Sequence, residues 1–286
     1  MLTWSLSIMQ NPNNLRSYYG HNALLRSHLK STGKLRPPGE ADISYVQFGL
    51  PHVKGILRTV YQSVTILSHY LGLPDRSREY KAARNSIGRA DMVIVHSGVH
   101  MNGFEVIGAD QSLMRIVRPA PMIPFLDRSS GFLGRPSVVG FAGRMDNFKR
   151  HWIASRSAAE AGVKFSFARD ILFKDMAAWY DGIGILAMPS LAESWGLVAS
   201  EALARGVPVV CTSAAGASEE IMETGAGIVV DSVGQDDFAG AVCRVIRDKS
   251  YAERAWVATP TKPITWLRNL IATCEEGLEG GFTWKQ

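Results

Sequence analysis

Two glutamates eight residues apart, Glu193 and Glu201, stand around what reads as the start of a helix. Ahead of them Ile185-Leu186-Ala187-Met188 is an apolar run of strand length, closed by Pro189-Ser190. Trp195 to Arg205 carries Ala, Leu and Val on one face and predicts a helix. Gly206 fits its C-cap, because glycine takes the left-handed conformation without a steric penalty. Val207 to Cys211 predicts the next buried strand, with Pro208 tolerated near its beginning. Strand, turn, helix and strand in this length make a right-handed crossover. Such a unit offers particular chemistry. Backbone N–H groups without helical acceptors, at Ser194, Trp195, Gly196 and Leu197, favour an anion such as a diphosphate. Gly196 would let that anion approach the backbone, and Glu201 could accept hydrogen bonds from vicinal sugar hydroxyls. Charge alone does not separate this reading from two solvated acids on a helix surface.

The order Glu193-Ser-Trp-Gly-Leu-Val-Ala-Ser-Glu201, followed by Ala-Leu-Ala-Arg-Gly-Val-Pro-Val-Val, resembles the E-x7-E signature of the family 4 retaining glycosyltransferases of GT-B fold. Ser194 replaces the family's glycine after the first Glu, and Trp195 replaces its Phe; both changes are mild, since the backbone supplies the phosphate donors. A predicted strand, Ser137 to Ala142, leads into Gly143-Arg144-Met-Asp-Asn-Phe-Lys149, which resembles the family's G-R-L-x-x-x-K. In the family that Arg and Lys grip the donor's diphosphate. A guanidinium fork and an ammonium suit a leaving group that gains negative charge. Without the downstream signature, an Arg and a Lys in a turn are ordinary surface charge. The glycine usual after the Lys is Arg150 here, which adds a cation. Ala215-Gly216-Ala217-Ser218-Glu219-Glu220-Ile221 is similar to the family's G-G-x-x-E-I turn, and Ala90-Asp91-Met92-Val93-Ile94-Val95-His96-Ser97 to a strand of its first domain. Gly140-Phe-Ala-Gly143 lacks the G-x-G-x-x-G order of a dinucleotide fingerprint.

The resemblance implies an α/β protein of GT-B fold, two Rossmann-like domains facing across a cleft. Residues 1–134 would bind the acceptor, 135–262 the nucleotide sugar, and 263–286 would form a helix crossing back to the first domain. It implies transfer, with retention, from a nucleotide sugar (a UDP-sugar first) to a hydroxyl acceptor. Arg144, Lys149 and the backbone from Ser194 to Leu197 would hold the diphosphate, Glu201 the ribose hydroxyls, and Glu193 the donor sugar near the reacting carbon. No metal and no cofactor beyond the nucleotide-sugar co-substrate is expected, the cations and the helix end doing a metal's electrostatic work. In this family a first-domain histidine often lies near the donor sugar. His52 and His96, at strand ends, are the candidates, with a purely structural imidazole open for each. Gly20, after Tyr18-Tyr19, stands where the first strand–helix turn carries a glycine; a plain loop-to-helix junction fits it equally. The additional strand–helix unit that most members carry after the Lys is missing, so nucleobase recognition is assigned to the loop near Ala168-Arg169-Asp170.

Composition sets the outer bounds. With 286 residues and 46% hydrophobic content, the chain can bury one large core or two modest ones, and it is short for the family. Its three cysteines, Cys211, Cys243 and Cys274, are not in a metal spacing and suit a reducing compartment rather than a disulfide framework. No apolar run reaches the length of a membrane span, and the N-terminal stretch lacks the basic start and apolar core of a signal peptide. The expectation is a soluble cytoplasmic protein, in the host cytoplasm if viral.

Charge is uneven. Residues 1–136 hold 16 Lys+Arg against 8 Asp+Glu, whereas residues 137–286 hold 15 against 18. A basic first half concentrates polyanions, nucleic acid or acidic lipid alike, although ordinary solvated surface accounts for it too. One acceptor reading is a modified base in DNA, such as a hydroxymethyl-pyrimidine, as in virus-encoded DNA glycosyltransferases; such a base has to be flipped or otherwise exposed. The rival is a peripheral-membrane enzyme acting on a lipid-linked or polysaccharide acceptor, for which Arg58 to Leu71 is a poor amphipathic helix. A non-catalytic GT-B-like protein binding nucleic acid is disfavoured by the presence of the donor residues, and a sugar-nucleotide epimerase by the E-x7-E signature.

The remaining pattern predicts strands over Leu2–Met9, Asp42–Phe48, Val60–Thr65, Ala90–Ser97, Val163–Ala168 and Gly225–Asp231. Helices are predicted over His21–Thr32, Arg76–Ile87, Trp152–Ala161, Asp175–Asp181, Asp236–Arg247 and Thr261–Gly277. The Pro-rich stretch from Arg115 to Phe125 reads as the chain leaving its first domain, and Asp127 to Arg135 as the linker.

Overall fold

The computed structural model describes residues 2–8, 16–37, 40–41, 43–47, 58–62, 90–105, 110–128, 135–231, 234–259 and 261–279. The chain divides into two compact units, Met1–Arg118 with Pro263–Gln286, and Pro119–Lys262.

In the first unit, short apolar and β-branched runs form β1 (Trp4–Ile8), β2 (Ile43–Gln47), β3 (Arg58–Gln62), β4 (Met92–Val95) and β5 (Met114–Ile116). These lie side by side in chain order, each pair parallel. Every residue of β4 is buried, as strands covered on both faces require. Helix α1 (Arg16–Ser31) buries Leu25 and Leu29, four residues apart on one face, and α2 (Gly98–Glu105) follows β4. Because α1 begins at Arg16, Gly20 lies inside a helix and not in the glycine-bearing turn expected of it. The strand expected over Val60–Thr65 is β3, which starts two residues earlier. The helix expected over Arg76–Ile87 lies outside the described residues.

In the second unit, α3 (Ile123–Leu126) precedes five strand–helix steps: β6 (Val138–Phe141), α4 (His151–Glu160), β7 (Lys164–Phe167), α5 (Met176–Asp181), β8 (Ile185–Met188), α6 (Leu197–Ala204), β9 (Val209–Thr212), α7 (Ser218–Thr224), β10 (Gly227–Val230) and α8 (Gln235–Arg247). Helix α9 (Ser250–Val257) closes the unit. The sheet runs β10-β9-β8-β6-β7, all parallel. Its core joins Val139, Phe141, Ile185 and Val210 of the strands to Ile153 of α4 and Phe238 and Val242 of α8. Because β7 lies on one side of β6 and β8 on the other, the winding reverses between β6 and β8. In an open parallel sheet, that reversal opens a crevice beyond the carboxyl ends of the two strands.

The two parallel α/β units are those expected of a GT-B protein. The division falls after Arg118, ahead of the linker expected over Asp127–Arg135 and of the domain end expected at 134, because the Pro-rich stretch folds onto the second unit. Phe125 is buried there, edge-on to Phe173 and Tyr180 at 5.5 and 5.8 Å, and Arg128 donates to the carbonyls of Ala204 and Ala258. The last helix, α10 (Pro263–Glu279), packs on α1: Trp266 meets His21 edge-on at 4.5 Å, and Glu275 pairs with Lys34 at 2.8 Å. Among the described residues, no helix is long and apolar enough to cross a membrane.

Candidate active site

The loops leaving β6, β8 and β9 are tied together at the carboxyl edge of the second sheet. Asp146 Oδ1 accepts the N–H groups of Phe148 (3.1 Å) and Lys149 (2.9 Å), folding the loop after β6 into an Asx turn. Leu191 N–H donates to Phe148 O at 2.7 Å, and Arg150 Nε to Pro189 O at 2.6 Å, so this loop is laced to the one after β8. That second loop is pinned in turn to the loop after β9. Glu193 N–H donates to Ala214 O (3.1 Å), Gly216 N–H to Glu193 O (3.0 Å), and Ala217 N–H to Trp195 O (2.7 Å).

Lys149 and Glu193 meet in this frame as an ion pair, with 16% and 14% of their side chains exposed. Burial, and then the Arg144 guanidinium, push the Lys149 ammonium down to about 8, while Asp146 pulls it up; direct pairing with Glu193 favours the charged form as well. Gly196 adopts φ +100°, and a Cβ there would stand 2.9 Å from Met188 Sδ and 3.2 Å from Glu193 Cγ. Only glycine fits that conformation and that approach. The helix therefore begins at Leu197, two residues later than Trp195, with Glu193 packed against its start. A buried cation close to a helix N-terminus is an arrangement that favours an anion. Arg144 lies at its rim, exposed, 3.2 Å from Asp146. The next cation, Arg150, sits at φ +47°, which accounts for the family's glycine here, since a side chain in the left-handed region costs about 1–2 kcal/mol.

Glu201 is not the solvated acid that charge alone allowed. Helix α6 is buried nearly all round, Ala199 to Ala204 included, and Glu201 is 4% exposed. Tyr180 of α5 donates its hydroxyl to Glu201 Oε2 at 2.8 Å. Burial raises the Glu201 carboxyl to about 7, against the lowering by that hydrogen bond. One turn on, Arg205 makes a bidentate pair with Asp181, at 2.9 and 2.5 Å, so α5 and α6 are joined by two neighbouring polar contacts. Ser194 and Trp195 are buried as well. The Trp195 indole donates to Ser200 Oγ (2.9 Å), which donates to Glu220 Oε2 (2.5 Å), so the ring is tied through α6 to α7.

Asp146 and Tyr180 were given no role in the sequence reading, and Glu220 was read only as part of a turn motif. The dipeptide Asp146-Asn147 is a turn signal that was available; Tyr180 and Glu201 belong to different elements, and no local pattern joins them. His96 lies at the end of β4, fully buried, with Nδ1 3.2 Å from Val117 O. Burial and the neighbouring His100 hold it neutral, down at about 3. His52 lies outside the described residues, and Gly20 belongs to α1 of the other unit. Arg169 and Asp170, assigned to nucleobase recognition, are exposed beyond β7, which neighbours β6. Among the described residues, no group of three or more His, Cys, Asp or Glu could hold a metal ion.

Residues 137–248 match the profile of the family described as Glycosyl transferases group 1. D-inositol 3-phosphate glycosyltransferase of Kribbella flavida (strain DSM 17836 / JCM 10339 / NBRC 14399) is 37% identical over 176 residues, 60% of this chain and 40% of that protein. Its namesake from Paenarthrobacter aurescens (strain TC1) is 30% identical over 142 residues, 49% of this chain and 34% of that protein. The chain thus spans well under half the length of these two relatives. Among solved structures, Anabaena Alr3699/HepE in complex with UDP is similar with a TM-score of 0.68 at 16% identity, covering 96% of this chain and 100% of that one. The profile takes in β6 to α8, and with them Arg144, Lys149, Glu193 and Glu201.

Proposed function

We propose that this chain is a nucleotide-sugar-dependent glycosyltransferase whose donor site is the crevice beyond β6 and β8. A single observation carries the reading: Lys149 and Glu193, from the loops on either side of the reversal, meet against the start of α6. The donor's diphosphate would take Lys149 from Glu193 and lie on the first turn of α6, with Arg144 closing over it. Glu201 would receive the ribose hydroxyls on Oε1, its Oε2 being held by Tyr180. The bond from the anomeric carbon to the diphosphate oxygen breaks, and the acceptor oxygen bonds to that carbon from the same face. The acceptor's proton passes to the departing diphosphate, and configuration is retained. Charge developing on the leaving group is met by fixed cations and by the helix end, so no metal is required. UDP is the nucleotide to try first, since a similar fold binds it.

The acceptor in this proposal is anionic. The first unit holds 16 Lys+Arg against 10 Asp+Glu, the second 15 against 16, so the positive excess lies with the first. Two acceptors of this kind are hydroxymethylated DNA and a small phosphorylated polyol; the name D-inositol 3-phosphate glycosyltransferase, borne by relatives, favours the second. The test is incubation with UDP- and GDP-sugars against inositol 3-phosphate, hydroxymethylated DNA and a lipid extract, followed by mass spectrometry. A hexose-sized mass gain on one acceptor supports the proposal. Donor hydrolysis without transfer, or no donor turnover, counts against it.

A further inference from the structure

Arg150 stands where the resembled family has glycine, and its backbone keeps the glycine-like conformation, φ 47° and ψ 45°. A side chain held there against its backbone preference needs something to hold it. The residue as a whole is buried, and its Nε donates to the carbonyl oxygen of Pro189 at 2.6 Å, a charge-assisted bond. Pro189 is the first residue after β8, and Lys149 immediately precedes Arg150. The same two loops touch again where Leu191 N–H donates to Phe148 O at 2.7 Å. Residues 148 to 150 are thus fastened to residues 189 to 191 at two points, one on either side of Lys149 in the chain.

We infer that Arg150 is a positioning residue, latching the loop after β6 to the end of β8 and so fixing the Lys149 ammonium at the start of α6. This rests on the donor-site reading above. Arg150 acts through Lys149: with glycine, the loop could take the same backbone path without strain, but it would lose the tie to Pro189. The Lys149 side chain would then sample positions away from the crevice, and the cost would fall on nucleotide binding.

The experiment is calorimetric titration of UDP, GDP and ADP into the full chain, wild type beside Arg150→Gly and Arg150→Asn, with thermal melting in parallel. Glycine and asparagine both tolerate the left-handed region, and neither reaches Pro189, so the pair stands if one variant fails to fold. We expect the wild type to bind at least one nucleotide, and both variants to bind it about fivefold more weakly or worse, whatever their melting temperatures. Arg150→Lys should recover part of the loss, because an ammonium can reach the same carbonyl. In turnover, the donor KM should rise by the same factor while kcat stays within about twofold. Wild-type binding matched by both variants overturns the latch and leaves the donor site standing. A wild type that binds none of the three nucleotides overturns the donor site and the latch with it.

Discussion

At the scale of single residues, a lysine and a glutamate each gain from the other, and in the proposed site a diphosphate would separate them. Of the two cations assigned to the diphosphate, Lys149 is 16% exposed and Arg144 71%, so the charge of Lys149 acts through less intervening solvent. Lys149→Ala is therefore expected to cut sugar transfer at least about tenfold, equivalent to ~1.4 kcal/mol in the transition state, as read from initial rates. An unchanged rate removes Lys149 from the site. Glu201 makes a prediction of opposite kinds for stability and for binding. Its folded value of about 7 lies above its ordinary 4.5, so between those pH values the folded chain binds the proton more tightly than the unfolded one. Stability from this group is complete below about 4.5 and is lost as pH rises through 7. Glu201→Gln should hence raise the melting temperature at pH 8, an effect worth at most about 3 kcal/mol, and the gain should vanish as pH falls below about 4.5. Nucleotide affinity should run the other way, weakening below pH 7 in the wild type, because a protonated carboxyl accepts fewer hydrogen bonds from a diol. Melting curves and calorimetry at three pH values check both signs.

At the scale of elements, α6 is held at both ends, by the Gly196 turn against Glu193 and by the Arg205–Asp181 fork against α5. Arg205 is 3% exposed at its side chain and Asp181 24%, so removing the arginine strands a carboxylate that water partly reaches. Arg205→Ala is expected to cost ~2 kcal/mol, below the range for fully buried pairs, measured by urea unfolding. If the change is within a few tenths, the fork does not anchor the helix. What could be read of these elements before the structure depended on how local their signals are. Strand β8 is closed by Pro189-Ser190, and α6 is closed by Gly206 at φ +70°, so both ends were legible. The helix α6 starts two residues later than expected because Trp195 looks like a helical apolar position, whereas its ring is committed to Ser200, which donates in turn to Glu220. Strand β5 is three residues long, α2 carries two glycines, and α9 follows α8 after two residues; none has a period long enough to announce itself. The residues of the proposed donor site were legible as types and spacings. The burial that makes Glu201 unusual was not, because it comes from α5 and the flanking strands, which approach from distant sequence.

At the scale of the whole molecule, the charge imbalance between the two units gives the informative quantity, the salt response of the acceptor, since it separates two acceptors that the proposed donor site treats alike. A basic surface attracts a small phosphorylated polyol and a nucleic acid by the same field, but salt weakens the two attractions differently. A small dianion displaces few counterions, so its KM should rise only a few-fold between 50 and 300 mM salt. A nucleic acid releases one condensed counterion for nearly every phosphate contacted, and log KM should then rise with log salt at a slope near the number of contacts. The donor provides an internal control. Lys149 is largely shielded from solvent, so the donor KM should move less than the acceptor KM over the same range. Steady-state rates at four salt concentrations, varying each substrate against saturating amounts of the other, measure both slopes. A shallow acceptor slope supports a small anionic acceptor, and a slope of several supports a polymer. An acceptor KM that does not respond to salt removes the electrostatic argument for either and returns the basic half to ordinary solvated surface.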